Sequence, residues 1–573
     1  MAPGVPVLVI SSPNTLCSAE SRNKLWFNWY FNTANLYIVV NTIMLSNVIK
    51  SGLKLPALGF ESVSQLLVHR LSRSPNTIQI IDTAIGRHTT RGQTLDYGMN
   101  FAAYLRDECR IGSGDVVLFV TQNSDTHAIA LCGVVLAAGV YASIPVHSTL
   151  RELEEVLDVI TPTLLVLDSA NYEAMAKIGH LYRIKTLVLD KHGSHTSIED
   201  IFLKTRATDS PALPVPTTAD TTITYVMTSG STGRPKAVRR TNGNHLAVVA
   251  AFGHRDVCPL TAADVLLSCG LCHICGQRSL LSAIESGACL AVLGCDENHD
   301  DVFATISKYR VTDALLVPTQ LNYLVKNWPK FPPGYFATLK HVLTGAAPLT
   351  AATYEAVRRL LPDVRLRNSY GMSESGFALT VHSPDANLLA NCETVGKVNP
   401  GMQIVVIDEN GVPLGANQLG EICMKGDQVT PGYVNNSREN ERLFTGHSYL
   451  RSGDIGYYDD NHYFYIIGRI KEMIIVDGVN IALAELERLL TGHKSVVNAA
   501  VIAVSDDGHG EVPMAFVTVV EGSDVTEQEL MAYVDGQVNE HKKLRGGLRI
   551  VDKFPTTPSG KIKKPQLLAI ALY

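Results

Sequence analysis

Residues Thr228 to Val238 read TSGSTGRPKAV and directly follow an apolar run, Ile223 to Met227, that predicts a strand. Glycines let successive backbone N–H groups converge on an anion, and hydroxyls add donors. Lys236 adds a positive charge that can contact a polyphosphate. The stretch is not a Walker A loop, because Arg234 and Pro235 separate the last glycine from the lysine. A phosphate loop is the preferred interpretation, and a surface turn is the alternative. Its candidate donors are Thr228, Ser229, Gly230, Ser231, Thr232 and Gly233.

Short apolar runs alternate with helical stretches along most of the chain. One run is Val116 to Val120, and a helix is predicted after it from Thr126 to Ala138. Similar runs occur at Leu164–Leu167, Leu187–Leu189 and Leu315–Val317. Each is too short for a helix and is flanked by polar or turn residues, which is typical of a buried parallel strand. The alternation predicts an α/β fold in which sheets and helices form layers.

The pattern changes after about residue 468. Helices are predicted at Ile481–Leu490 and Thr526–Glu540, with a strand at Pro513–Val520 between them. Thr526 and Glu529 have the spacing of a capping box. These features indicate a small α+β domain. We therefore expect three regions, which are an N-terminal extension (1–56), a large domain (57–470) and a small C-terminal domain (471–573).

The N-terminal extension contains an aromatic and apolar stretch over residues 25–49. Asparagines interrupt it, so no apolar run reaches the roughly 20 residues that span a bilayer. The preferred interpretation is an added extension of the chain. The alternative is a weak association of this stretch with a membrane surface.

Composition excludes some classes of protein. The chain has 573 residues, a formal net charge of −6, and Lys and Arg residues spread along its length, which argues against a nucleic-acid partner. Eleven cysteines without a regular framework spacing fit a reducing compartment. The final residues, Ala571-Leu572-Tyr573, do not match a Ser-Lys-Leu peroxisomal signal. A cytoplasmic location is therefore expected.

The stretch TSGSTGRPKAV resembles the signature loop of the adenylate-forming superfamily, which includes acyl- and aryl-CoA synthetases, firefly-type luciferases and peptide-synthetase adenylation domains. Six further segments resemble the family's motifs and occur in the same order. They are TGAAPL (344–349), NSYGMSESG (368–376), GEICMKGDQVTPGY (420–433), RSGDIG (451–456), IIGRIKEM (466–473) and PTTPSGKIKK (555–564). The resemblance covers roughly residues 57–565.

The resemblance implies a site for ATP and Mg²⁺. Glu374 would be a hard oxygen ligand for the metal ion. Tyr370 would stack on adenine, Asp454 would accept hydrogen bonds from the ribose hydroxyls, and Arg469 would hold the ribose or the adenylate. The remaining residues that the motifs assign to this site are Gly345, Ala346, Ala347, Asn368, Gly371 and Ser373.

Three further assignments concern catalysis and the thiol step. Lys561 would bridge the substrate carboxylate and the α-phosphate, and neutralise charge as the reaction proceeds. Lys471 would be the hinge about which the small domain rotates. Gly478 would lie on the face that then helps to form a thiol tunnel, although its segment, VDGVN, departs from the common versions of that motif.

The spacing Cys269, Cys272, Cys275 suggests a different kind of site. With His273, it fits a haem-attachment or metal-cluster pattern, but the fourth position of a ferredoxin run is Ser279. The family's His-x-x-Gly motif falls here, at His273 and Gly276, and it implies that His273 lies beside the substrate carboxylate. A core histidine is the alternative, and the cysteines are interpreted as packing residues.

The resemblance implies an acid–thiol ligase that uses ATP, Mg²⁺ and CoA to activate a carboxylic acid. Amino-acid-activating members of the family usually carry an aspartate near the position of His273. No acidic residue lies between Cys272 and Ser279 here, so the resemblance implies a substrate without an α-amino group. Residues around Thr319, Gly371 and Phe377 are compatible with aryl or acyl substrates. A luciferase-like oxygenase and an enzyme that loads a carrier protein are the alternatives.

Overall fold

The computed structural model describes residues 47–571 except 192, 194, 205–214, 230–233, 269, 296, 383–392, 477–478, 507–509 and 557–561. Its strands are β1 (Ile49–Lys50), β2 (Ile78–Asp82), β3 (Arg87–Thr90), β4 (Val116–Val120), β5 (Val140–Ile144), β6 (Leu164–Leu167), β7 (Lys185–Val188), β8 (Thr222–Ser229), β9 (Pro235–Thr241), β10 (Val265–Ser268), β11 (Cys289–Val292), β12 (Asp313–Leu315), β13 (His341–Thr344), β14 (Arg365–Tyr370), β15 (Leu379–Thr380), β16 (Lys397–Val398), β17 (Met402–Ile407), β18 (Gly420–Gly426), β19 (Leu450–Tyr458), β20 (Phe464–Arg469), β21 (Met473–Val476), β22 (Val479–Ala482), β23 (Val496–Asp506), β24 (Gly510–Val519) and β25 (Leu548–Ile550).

The α-helices are α1 (Val63–Leu71), α2 (Arg91–Asp107), α3 (Asp125–Leu136), α4 (Leu150–Leu157), α5 (Ser169–Tyr182), α6 (Ile198–Leu203), α7 (Asn242–Phe252), α8 (Ile274–Ser286), α9 (His299–Lys308), α10 (Pro318–Lys326), α11 (Ala351–Leu360), α12 (Ser437–Leu443), α13 (Leu483–Thr491), α14 (Glu527–Asp535) and α15 (Lys564–Ala571). Short 3-10 turns lie at Trp328–Lys330, Ile470–Glu472 and Glu540–Lys542.

Two largely parallel sheets form the frame of the large domain. One has the strand order β7-β6-β4-β5-β8-β9, and the other has the order β16-β15-β14-β13-β12-β10-β11-β2-β3. The strands predicted at Val116–Val120 and Leu164–Leu167 are confirmed, and they pair in parallel. The prediction for Leu315–Val317 was wrong by two residues, because β12 ends at Leu315 and Pro318 opens α10.

Helices fill the space between these two sheets. The helix predicted at Thr126–Ala138 is α3, and all twelve of its residues are buried. A helix that is apolar on every side belongs inside a large core. It shares one apolar cluster with α1, α2 and α8 and with strands of both sheets. The predicted layered α/β architecture is thereby confirmed.

A third sheet is antiparallel and has the order β1-β17-β18-β19-β20. Strand β1 pairs Ile49 with Ile404, so part of the segment that was predicted as an extension contributes an edge strand. The stretch predicted for membrane association lies almost wholly outside the described residues. Among the helices that the structure describes, none is long and apolar enough to cross a bilayer.

The smaller C-terminal domain is built on β21 to β25, with α13 and α14 packed against this sheet. The helix prediction for Ile481–Leu490 was wrong at its start, because Ile481 lies in β22 and pairs with Ile474. The capping box of Thr526 and Glu529 is confirmed. The helix that it opens ends at Asp535, before Gly536, rather than at Glu540.

The small domain contacts the large one through α10. The ammonium group of Lys326 donates to the backbone carbonyl of Lys494 at 2.9 Å, and the Asn322 amide donates to that of Val497 at 3.3 Å. The two domains are joined covalently at the 3-10 turn Ile470–Glu472, which follows directly after β20.

Candidate active site

The carboxyl ends of β13 and β14 meet side by side in the nine-stranded sheet. Ligands of open α/β sheets bind at such ends. The Ser369 hydroxyl donates to the Thr344 carbonyl at 2.7 Å, and the amide of buried Asn368 donates to the Thr394 carbonyl at 3.1 Å. After β13 comes the predicted turn Gly345-Ala346-Ala347, in which Ala346 has φ +68°. The structure thus brings two of the predicted motifs together.

A tight loop follows β14 and places several predicted residues. A Cβ atom at Gly371 would lie 2.1 Å from the Gly376 carbonyl oxygen, so only glycine fits there. The Ser375 hydroxyl accepts a hydrogen bond from the Met372 N–H at 3.2 Å. Half-buried Ser373 lies between them in this loop. The loop carries Tyr370 at its start and Glu374 near its end.

Tyr370, Asp454 and Arg469 form one group of contacts, called here the Tyr370 cluster. The Tyr370 hydroxyl donates to Asp454 Oδ2 at 2.5 Å, and Arg469 Nε lies 3.3 Å from Asp454 Oδ1. Asp454 and Arg469 are directly opposite each other on β19 and β20. Burial, together with the charge of Asp454, raises the pKa of Tyr370 well above its usual value. The phenol therefore stays protonated and keeps donating.

A second group, the Lys236 cluster, consists of Lys236, Glu439, Tyr433 and Glu374. Lys236 Nζ lies 2.5 Å from Glu439 Oε2 and 5.1 Å from the centre of the Tyr433 ring. The Tyr433 hydroxyl donates to Glu374 Oε1 at 2.7 Å. Burial and the neighbouring Glu374 charge raise the pKa of Tyr433, so it remains a donor.

Backbone pairing holds the Lys236 cluster together. Thr228 lies opposite Lys236 in the hairpin of β8 and β9. Tyr433 bridges to Val238 of β9, and its backbone N–H donates to the Asn440 side chain on α12 at 2.7 Å. The backbone of Glu374 accepts from the Thr430 N–H at 2.8 Å. Lys236 and Glu439 therefore meet although 203 positions separate them in the chain.

Glu374 suits the ion predicted for it. Its side chain is buried, with the residue 6% exposed, and one oxygen is fixed by Tyr433. In the described part of the chain, no group of three His, Cys, Asp or Glu residues forms a cage for a metal ion. Mg²⁺ commonly binds through one or two carboxylates together with substrate phosphates and water. A single buried carboxylate near the phosphate-loop lysine fits that coordination chemistry.

His273 is the N-cap residue of α8, directly after buried Cys272. Burial raises the pKa of the Cys272 thiol to about 12, so it remains protonated at neutral pH. Cys272 and Cys275 are free thiols, and no metal-binding cluster occurs among the described residues. Cys269, the first cysteine of the pattern, lies outside that part of the chain.

Several predicted residues lie outside the described residues, namely Gly230, Ser231, Thr232, Gly233, Gly478 and Lys561. The side chain of Ser229 is likewise not described, although its backbone ends β8. Lys471 lies in the 3-10 turn between the domains. Three residues after Lys561, the ammonium group of Lys564 contacts Glu472 at 2.8 Å and Glu487 at 2.9 Å. These contacts join α15 to the interdomain turn through Glu472 and to α13 through Glu487.

Two residues of the Lys236 cluster were not singled out from the sequence. Tyr433 ends the motif GEICMKGDQVTPGY, but the sequence indicates no role for its side chain. Glu439 lies in the sequence NNSRENER, where alternating charges resemble any solvated helix face. Nothing local to α12 indicates its contact with Lys236, since only tertiary packing creates that contact.

Comparison with known proteins identifies the family. The family model described as "AMP-binding enzyme" matches residues 67–434, and "AMP-binding enzyme C-terminal domain" matches residues 485–561. The chain is 32% identical to 4-coumarate–CoA ligase 3 of Arabidopsis thaliana over 80% of this chain and 82% of the relative. It is 31% identical to luciferin 4-monooxygenase of Nipponoluciola cruciata, over 82% and 88%.

Among solved structures, ATP-bound MatB from Rhodopseudomonas palustris is similar, with a TM-score of 0.78, 24% identity, and coverage of 88% of this chain and 98% of that one. At this identity the match supports the fold. The family model spans more than half of the sequence, and both sequence relatives align over most of their length. The chain therefore belongs to the AMP-binding enzymes of the adenylate-forming superfamily.

Proposed function

We propose that this protein is an acid–thiol ligase that activates a carboxylic acid with ATP and transfers the acyl group to CoA. The observation that carries the proposal is that one short segment, from the end of β14 through the loop that follows it (368–376), reaches both clusters. Tyr370 at its start contacts Asp454, and Glu374 near its end contacts Tyr433 beside Lys236. A nucleoside recognised by Asp454 and a polyphosphate recognised by Lys236 are parts of the same nucleotide.

In the first half-reaction, a carboxylate oxygen attacks the α-phosphorus of ATP and pyrophosphate leaves. Asp454 would accept hydrogen bonds from the ribose hydroxyls, because a carboxylate offers about four acceptor positions, of which Tyr370 uses one and Arg469 faces another. Lys236 would hold the leaving phosphates. Lys561 is the proposed cation between the carboxylate and the α-phosphate, where charge develops. His273, at the start of α8, is proposed to lie beside the substrate carboxylate.

Glu374 is the proposed protein ligand of Mg²⁺, which would neutralise phosphate charge when bound. The Tyr433 hydroxyl fixes one carboxylate oxygen and leaves the other for the ion. The fold would contribute by limiting water, since Glu374 is 6% exposed and contacts Tyr433. A hydrogen bond is electrostatically stronger in such an environment than in water.

In the second half-reaction, a thiolate attacks the acyl carbon and AMP leaves. The same centre needs Lys561 first and the thiol later, so the small domain must move. Lys471 lies in the turn between the domains and is the proposed pivot. Glu472, the next residue, is paired with Lys564, so movement of the turn is coupled to α15. Gly478 is the proposed contributor to the thiol tunnel.

The proposed function differs from the activities of related enzymes in the acceptor of the acyl group and in the carboxylic acid that is activated. The Arabidopsis relative is a CoA ligase, whereas the Nipponoluciola relative is a luciferin monooxygenase. The absence of an acidic residue in Cys272–Ser279 supports an acid without an α-amino group. Aryl and fatty acyl acids both remain within the proposal.

The test is pyrophosphate release from ATP with Mg²⁺ against a panel of aliphatic and aromatic acids, with and without CoA. We expect acid-dependent release, and formation of a thioester only when CoA is present. Oxygen-dependent light with a luciferin would instead support the monooxygenase. Folded protein that binds neither ATP nor AMP would overturn the proposal.

A further inference from the structure

Glu439 forms a contact that the adenylation chemistry does not require. Its carboxylate lies 2.5 Å from Lys236 Nζ, and the two side chains are 30% and 11% exposed. Lys236 also lies over the Tyr433 ring. The charge of this lysine is therefore already neutralised by a side chain of the protein itself.

The placement of Glu439 is defined by its surroundings. The side chain of Asn436 caps α12 by accepting from the Glu439 N–H at 3.2 Å, and Asn440 is hydrogen-bonded in both directions to the Tyr433 backbone. The hydrogen bond from Lys236, together with the charges of Lys471 and Arg442, lowers the pKa of Glu439. The carboxylate is thus ionised and fixed next to the lysine at neutral pH.

We infer that Glu439 occupies the place of the ATP polyphosphate on Lys236 and is displaced when nucleotide binds. This inference rests on the proposed function, in which Lys236 binds the β- and γ-phosphates. A phosphate oxygen and the Glu439 carboxylate cannot both contact one ammonium group without bringing two negative charges together. Binding of the polyphosphate therefore has to break the ion pair between Lys236 and Glu439.

The competition from Glu439 affects only ligands whose phosphates would reach Lys236. Glu439 weakens the binding of ATP and pyrophosphate, and its return to Lys236 favours release of pyrophosphate after adenylation. AMP has a single phosphate group, the α-phosphate, so it leaves the ion pair intact. Glu439 is in this sense a positioning residue that acts through Lys236.

The test compares full-length wild type with Glu439→Gln, using calorimetric titration with ATP, pyrophosphate and AMP at a fixed Mg²⁺ concentration. The matched control is Glu441→Gln, which removes the same charge from an exposed position on α12. We expect Glu439→Gln to bind ATP and pyrophosphate about threefold to tenfold more tightly, which corresponds to a partly exposed ion pair. AMP affinity should be unchanged, and the control should match wild type for all three ligands.

Two results would overturn the inference. One is ATP binding by Glu439→Gln that equals or falls below that of wild type, with circular dichroism showing that the variant is folded. The other is an equal gain for AMP, since that would indicate a general charge effect. Failure of wild type to bind any nucleotide is a different result, because it would contradict the proposed function instead.

Discussion

The two ends of the segment at residues 368–376 are organised in opposite ways. At the Tyr370 cluster, the charged group at the centre is an acid, Asp454, and its partners are a phenol and a guanidinium. At the Lys236 cluster, the central group is a cation whose partner is another carboxylate. Under the proposed function, a ribose would add hydrogen bonds to the Asp454 carboxylate, which already accepts from Tyr370. Under the same proposal, a polyphosphate would have to replace Glu439, so one end would be pre-organised for its ligand and the other is occupied by a side chain of the protein.

The largest expected effect follows from removing the acid at the pre-organised end. Asp454→Ala should lower the affinity for both AMP and ATP by about 100-fold, because hydrogen bonds to a charged group contribute about 1.5–3 kcal/mol each. The measurement is titration calorimetry with both nucleotides. Asp427→Ala, at an exposed position of the same domain, is the control. Unchanged AMP affinity would show that Asp454 does not bind the nucleoside.

A smaller and more selective effect is expected at the occupied end. Lys236→Met should weaken ATP and pyrophosphate binding by about tenfold to 100-fold, since a charged hydrogen bond is lost. Part of that loss reflects Glu439, whose charge then faces the phosphates without a partner. AMP affinity, measured in the same experiment, is the internal control. An equal loss for AMP would remove the distinction between the two ends.

Within the Lys236 cluster, Tyr433 contacts both Lys236 and Glu374, and its hydroxyl can be removed alone. Tyr433→Phe should lower the free energy of unfolding by about 1–3 kcal/mol, because a buried carboxylate loses a donor while the ring remains beside Lys236. Urea unfolding followed by circular dichroism measures this change. Tyr449→Phe, which loses a 3.4 Å contact with the neutral Gln403 amide, should have a smaller effect. An equal loss of unfolding free energy in the two variants would mean that the hydrogen bond from Tyr433 does not stabilise the buried Glu374 carboxylate.

The sequence predicted the Tyr370 end better than the Lys236 end for a physical reason. Asn368 and Tyr370 belong to one short motif at the end of a strand, and the layered fold followed from apolar runs such as Val116–Val120. Glu439 was missed because its partner is 203 positions away, so its role depends on packing of α12 against β9.

Errors in the small domain have a related cause. Ile481 belongs to a short apolar run that suits either a helix or a strand, and periodicity alone does not separate the two. Pairing with β21 decides in favour of a strand, and this pairing involves a neighbouring segment of the chain rather than the run itself. The pattern within one segment therefore does not predict structure that depends on contacts with another segment of the chain.

The smallest expected effect concerns the stability of the ligand-free protein and its dependence on pH. The hydrogen bond from Lys236 lowers the pKa of Glu439 below its ordinary value of 4.5 in the folded protein. The ionised Glu439 therefore stabilises the folded protein when the pH is above the pKa of this group in the unfolded chain. This stabilisation is lost as the pH falls through the lower pKa that Glu439 has in the folded protein. Glu439→Gln should lower the free energy of unfolding by about 1 kcal/mol at pH 7.

The difference between wild type and Glu439→Gln should shrink below about pH 4.5, which urea unfolding at pH 7, 5 and 4 measures. Glu441→Gln, with an exposed side chain, should show little difference at any of these values. A difference that grows on acidification would contradict the ion pair. Combined with the binding test, one substitution should weaken the ligand-free fold and tighten ATP binding. General loosening of the structure cannot produce both changes, whereas loss of an internal competitor for Lys236 produces them together.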